Sequence, residues 1–325
     1  MKRLLVIAGI LLLVSCKKSN NKTEDVIIAT PALQFQKLDG VQLASGQLNR
    51  LASFPSKYVK ARNVDVWLPD HYSNDKKFAV LYMHDGQMLF DANTTWNKQE
   101  WKVDEWAGKL MKEKKTKDFI VVAIHNISEI RHSDYFPNKP FQSIKAKDSI
   151  FEASNRGEYK LFNTPINSDN YLKFIVEEVK PVIDANFSIL TDRKNTFVAG
   201  SSMGGLISMY ALSEYPEVFV GAACLSTHWP GVMHNDNNPI PQSFFTYLAQ
   251  HAPKAGTHKF YFDFGTETLD ALYVEFEDDV NTIFNGLGYD ESNFKNLKFE
   301  GTDHSENAWN QRLDIPLTFL LGIEN

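Results

Sequence analysis

Apolar residues follow two rhythms in this chain. Residues 78–84 (FAVLYMH) and 119–124 (FIVVAI) are unbroken apolar runs, as found in strands covered on both faces. Residues 61–68 (ARNVDVWL) alternate instead, and 196–199, 218–225, 259–264 and a short 297–299 complete the expected strands. Between them, 101–114, 171–185, 203–215, 273–285 and 307–321 carry apolar positions at helical spacing. Pro216 and the Gly-Leu-Gly of 286–288 supply stop signals. Strand-helix alternation of this length predicts an α/β fold, a mostly parallel central sheet with helices on both faces. Residues 128–169 break the rhythm: they are polar, aromatic-rich and poorly periodic. They are expected to form an irregular cap region beside the site.

The first sixteen residues stand apart. Lys2 and Arg3 precede an apolar run over 4–14, shorter than the roughly 20 residues needed to span a bilayer, so it reads as an export leader. The run ends Leu13-Val14-Ser15-Cys16, which resembles the lipobox of bacterial lipoproteins, with Cys16 the residue that takes the lipid. Three segments are expected: a lipoprotein signal peptide over 1–16, a polar flexible tether over 17–25, and a single catalytic domain over 26–325. An exported cell-envelope lipoprotein follows, touching the membrane through its N-terminal anchor only. Cys224 is the other cysteine; in a small apolar run, it reads as a buried core residue without a disulfide partner. The formal charge of −6, with both signs interspersed, gives no footprint for nucleic acid.

The stretch TFVAGSSMGG over 196–205 carries the chemistry. Gly200-x-Ser202-x-Gly204 follows an apolar strand and opens a helix, the context of a nucleophile elbow in an α/β-hydrolase fold. Such a turn strains the backbone at Ser202, and glycines two residues away leave room for it. In this fold the acid and then the histidine follow the serine along the chain. His304, just past the last expected strand, is the expected base. The acid should follow the strand at 259–264, where Asp270 is the first candidate and Glu267 the alternative. The backbone N–H groups of Met203 and Gln87 are the candidates for an oxyanion hole. Trp229, Arg131, Tyr135 and Asn126 follow expected strands at the edge where ligands of open α/β sheets bind, and are candidate substrate contacts. His84-Asp85 reads as a turn beside the oxyanion hole rather than a ligand pair. No metal and no cofactor is expected.

Together VDVWLP (64–69), VLYMHDGQ (80–87), LFD (89–91), GSSMGG (200–205) and 301–309 resemble the putative-esterase family of α/β-hydrolases. That family includes esterase D-like enzymes, enterochelin esterases, feruloyl and acetylxylan esterases and mycolyltransferases. Met88 departs from the asparagine expected there. The resemblance implies a serine esterase acting on an acyl or feruloyl ester of a carbohydrate, or on a siderophore ester. Acyl transfer by the same residues, or non-catalytic glycan binding, are the alternatives.

Overall fold

The computed structural model describes residues 33–156, 160–233 and 237–323. The expected leader, Cys16 and the tether lie outside the described residues. From Gln34 onward the chain forms one unit built on a nine-stranded sheet among the described residues. Its strands are β1 (Gln36–Lys37), β2 (Gln47–Phe54), β3 (Arg62–Leu68), β4 (Ala79–His84), β5 (Phe119–Ile124), β6 (Thr196–Ser201), β7 (Gly221–Leu225), β8 (Lys259–Gly265) and β9 (Phe294–Phe299). The order is β1-β2-β3-β5-β4-β6-β7-β8-β9. The first three strands are antiparallel through the β3–β5 pairing, and β5 to β9 run parallel. This is the α/β-hydrolase type of sheet that the strand-helix alternation predicts.

All six residues of β4, of β5 and of β6 are buried, as their unbroken apolar runs require of central strands. Ala79, Leu81 and Met83 of β4, with Phe119, Val121 and Ala123 of β5, join one apolar cluster with helices Val103–Lys112 and Asp314–Leu321. Helix Met203–Glu214 is buried from Met203 through Ser213, so it is apolar around its whole circumference rather than along one stripe. The chain leaves β4 for β5 on one side and later returns to β6 on the other. The crevice at the carboxyl ends of β4 and β6 is therefore the switch point where open α/β sheets place their ligands.

Several elements differ from expectation. Strands β1 and β2 were not anticipated, nor was helix Ile240–His251. The helix expected over 171–185 contains a π-helical stretch, Phe174–Val179, between Ser168–Lys173 and Lys180–Asn186. The cap is irregular only in part: it includes the short helices Arg131–Tyr135, Asn138–Gln142 and Lys147–Ser154, pinned by an aromatic cluster in which Phe136 contacts Phe141 and Phe162. Pro137 lies between the first two of these helices, and a proline cannot continue a preceding helix. The last expected helix is two, Glu306–Asn310 and Asp314–Leu321, separated by Gln311, Arg312 and Leu313.

Candidate active site

Ser202 caps β6 with φ 57 and ψ −120, a conformation that costs a residue bearing a Cβ about 1–3 kcal/mol. The surroundings over-determine it. Its N–H donates to Leu225 O (2.9 Å), while its carbonyl accepts from Gly205 N (3.0 Å), Leu206 N (3.2 Å) and His228 N (3.2 Å). Glycine is needed nearby for packing: a Cβ at Gly200 would lie 2.7 Å from Gly204 O, and one at Gly205 2.8 Å from Thr227 Oγ1. At Gly204 the nearest atom, Asp85 Oδ2, would be 3.3 Å away, so the second glycine of the motif is the less crowded.

His304 follows β9, its N–H held by Thr268 Oγ1 (3.0 Å) and its ring edge-on to Trp309 with centroids 5.0 Å apart. Its Nδ1 lies 2.5 Å from Oδ1 of Asp270, whose side chain is fully buried. Oδ2 of the same carboxylate accepts from Ser226 Oγ (2.6 Å) and Gly265 N (2.6 Å). Glu267, the alternative acid, is exposed. With Nδ1 occupied by the carboxylate, Nε2 is the ring nitrogen left to exchange a proton. His304 and Ser202 line one cleft of about 460 Å³. A larger groove of about 1290 Å³ lies at the opposite sheet edge beside Asp118 and Lys76, and none of the expected site residues lines it.

The turn after β4 forms the facing wall. Asp85 adopts φ 59 and leads into a single helical turn, Gly86–Met88. Gly86 is required by packing against β5, since a Cβ there would meet the Ala123 carbonyl carbon at 2.6 Å. Gln87 lines the cleft, and its Oε1 accepts from Asn126 N (3.1 Å). Met203, at the start of its helix, is buried.

The four expected substrate contacts separate. Arg131 and Asn126 line the cleft, but both are committed to Asp85: Arg131 through Nε (2.8 Å) and Nη2 (2.7 Å), Asn126 through Nδ2 (2.7 Å). Burial acts to raise the Asp85 pKa, but these cationic and amide partners outweigh it and hold the carboxyl below its ordinary value. Tyr135 is fully buried against His84 and Tyr171, with its hydroxyl accepting from Asp85 N (3.3 Å). Trp229 is likewise core, packed between Phe245 and Phe262. Tyr135 and Trp229 therefore support the site from behind instead of facing a ligand.

Two residues escaped the sequence reading, one lining the cleft and one buried against His304. Trp96 is 85% exposed at the mouth, on a loop clamped to the His304 side by Asn97 Nδ2 to Glu306 Oε2 (2.8 Å). A tryptophan within the polar stretch NTTWNKQE was the available signal. Tyr273 packs edge-on to both His304 and His228, and its hydroxyl bonds His228 Nδ1 (2.8 Å). Burial, with His304 nearby, pushes the His228 pKa down to about 4, so this imidazole is neutral near pH 7.

The family described as "Putative esterase" matches residues 57–318. The chain is 24% identical over 170 residues to the uncharacterized protein YbbA of Bacillus subtilis, covering 52% of this chain and 58% of that one. It is 23% identical over 185 residues to an endo-1,4-beta-xylanase/feruloyl esterase of Xylanibacter ruminicola, covering 54% of this chain and 20% of that one. It thus spans under two thirds of either relative's length. A solved ferulic acid esterase from Anaeromyces mucronatus shares the fold, with TM-score 0.54 and 19% identity over 90% of this chain and 97% of that chain. With the family match reaching from before β3 into the last helix, over the elbow and both sides of the cleft, the chain belongs to the Putative esterase family.

Proposed function

We propose that this chain hydrolyses a carboxylic ester through an acyl-enzyme on Ser202. His304 takes the hydroxyl proton as Oγ attacks the acyl carbon, and returns it to the departing alcohol. Water then attacks the acyl-enzyme by the same route and regenerates the serine. Asp270 orients the imidazole and balances its charge. The N–H groups of Met203 and Gln87 hold the oxyanion, each donor worth about 3 kcal/mol in the transition state. The contact between a fully buried Asp270 and His304, in the cleft that Ser202 lines, carries this reading. The leader ending at Cys16 supports an exported, lipid-anchored enzyme.

A serine-directed phosphonate tests it. One label per chain, mapped to Ser202, together with turnover of p-nitrophenyl acetate, is the expected result; a chain inert to both would overturn it.

The cleft supports a carbohydrate ester as the substrate. Its mouth joins an exposed indole, Trp96, to amide and hydroxyl side chains including Asn97, Gln99 and Ser128, a lining suited to a sugar ring. The feruloyl and ferulic acid esterases to which the chain is similar agree with that class by name. Trp96→Ala is expected to raise KM for a feruloylated or acetylated xylo-oligosaccharide by roughly three- to tenfold, the worth of one aromatic face. Turnover of p-nitrophenyl acetate should stay unchanged, and an equal effect on both substrates would remove Trp96 from sugar binding.

A further inference from the structure

Behind Asp270 lies a buried polar cluster that the reaction above does not use. Ser226, just past β7, is fully buried and sits at φ 41, where a side chain is strained. Its N–H donates to Asp263 O (2.8 Å) and approaches Asp263 Oδ1 (3.2 Å), which holds the backbone there. Its hydroxyl has three neighbours. Trp309 Nε1 (2.9 Å) and Arg312 Nη2 (3.1 Å) can only donate, so they take both lone pairs. The single hydroxyl proton is therefore directed to Asp270 Oδ2 at 2.6 Å.

Arg312 is 3% exposed and all its N–H groups are engaged. Nε (3.2 Å) and Nη2 (2.9 Å) grip Asp263, and Nη2 also reaches Ser226 (3.1 Å). Nη1 reaches Ala308 O (3.3 Å) and Thr302 Oγ1 (3.4 Å). The break between the last two helices is what points this side chain inward. A buried cation thus stands one hydroxyl away from a second buried carboxylate, beyond the one it pairs with.

We propose that Ser226 and Arg312 are positioning residues for the Asp270–His304 pair: the Ser226 hydroxyl, polarised by the guanidinium, binds Oδ2 and turns Oδ1 to His304. The inference rests on the hydrolase reading, because that reading gives Asp270 its role. Gly265 N–H supplies a second donor to Oδ2, so loss of Ser226 loosens the carboxylate without releasing it.

Ser226→Ala removes one oxygen and leaves the Arg312–Asp263 pair in place. With a donor lost, the negative charge of Asp270 is less neutralised, the imidazolium of His304 is favoured, and its pKa rises. The ascending limb of kcat/KM, which waits on the neutral imidazole, moves to higher pH, and kcat above that limb falls roughly tenfold. The other ionisable groups around His304 are untouched by this change: Tyr273, His228, Asp303 and Glu306 beside it, and Arg131 across the cleft. Arg312→Lys keeps the charge and should shift the limb less than Arg312→Met.

The test is an NMR titration of labelled His304 in the wild type, Ser226→Ala and Arg312→Lys, run beside the pH profile of ester turnover. A raised His304 pKa in Ser226→Ala, with a smaller rise in Arg312→Lys, is expected. A variant that melts earlier but titrates as the wild type does would overturn the proposal and leave the cluster a packing device. The titration needs no turnover. A His304 shift in Ser226→Ala, found while the wild-type chain is inert to esters, would sink the hydrolase reading and leave the hold of Ser226 on Asp270 standing.

Discussion

Ser202→Ala is expected to lower kcat/KM for p-nitrophenyl acetate by about 10⁴-fold or more while the thermal midpoint stays within a few degrees of wild type. Without Oγ no acyl-enzyme forms, and the remaining cleft can only position water and donate to an oxyanion. The fold should tolerate the change, since alanine meets the same cost as serine at φ 57 and the backbone bonds to Leu225, Gly205, Leu206 and His228 remain. Tyr273 keeps its bond to His228 in the variant. Parallel kinetics and thermal unfolding separate the alternatives. A loss of only a few-fold would remove the nucleophile's role from Ser202, and collapse of the fold would instead show the hydroxyl to be structural.

The parts of the site that were legible in the sequence are those that local geometry dictates. The elbow was visible because a strained serine between strand and helix leaves no room at Gly200, and because β6 and the following helix are apolar throughout. His304 was visible from its place after the last strand. The choice between Asp270 and Glu267 was not. Thr268 turns the chain at φ 53, which leaves Glu267 in solvent and buries Asp270 three residues later, and composition says nothing of that turn. Arg131 and Asn126 were placed at the right edge, but their commitment to Asp85 depends on a left-handed turn and a contact between distant segments. Strand β2 stayed hidden because its buried positions, Leu48, Leu51 and Phe54, lack a period of two: a register shift falls between Leu51 and Phe54. The cap hid its helices because each is too short to show a period.

Asp270→Asn should be nearly as damaging as loss of the nucleophile, and the structure gives the reason atom by atom. The Oδ2 position faces two obligate donors, Gly265 N–H and a Ser226 hydroxyl whose lone pairs are taken by Trp309 and Arg312. An asparagine must present its carbonyl oxygen there, because its NH₂ would confront N–H and O–H. The NH₂ is then turned toward His304 Nδ1, where the carboxylate oxygen now stands 2.5 Å away. A donor at that place requires Nδ1 to accept, so the neutral ring carries its proton on Nε2 and cannot take the proton of Ser202. A wrong tautomer of this kind lowers kcat by about 10⁴-fold with geometry intact. Glu267→Gln, on an exposed side chain outside the contact, should leave kcat within about twofold of wild type. Measuring kcat for both variants on one activated ester decides between the carboxylates. The reverse ranking would hand the role to Glu267 and require the loop after β8 to rearrange during turnover; equal and small effects would mean that His304 works without a carboxylate partner.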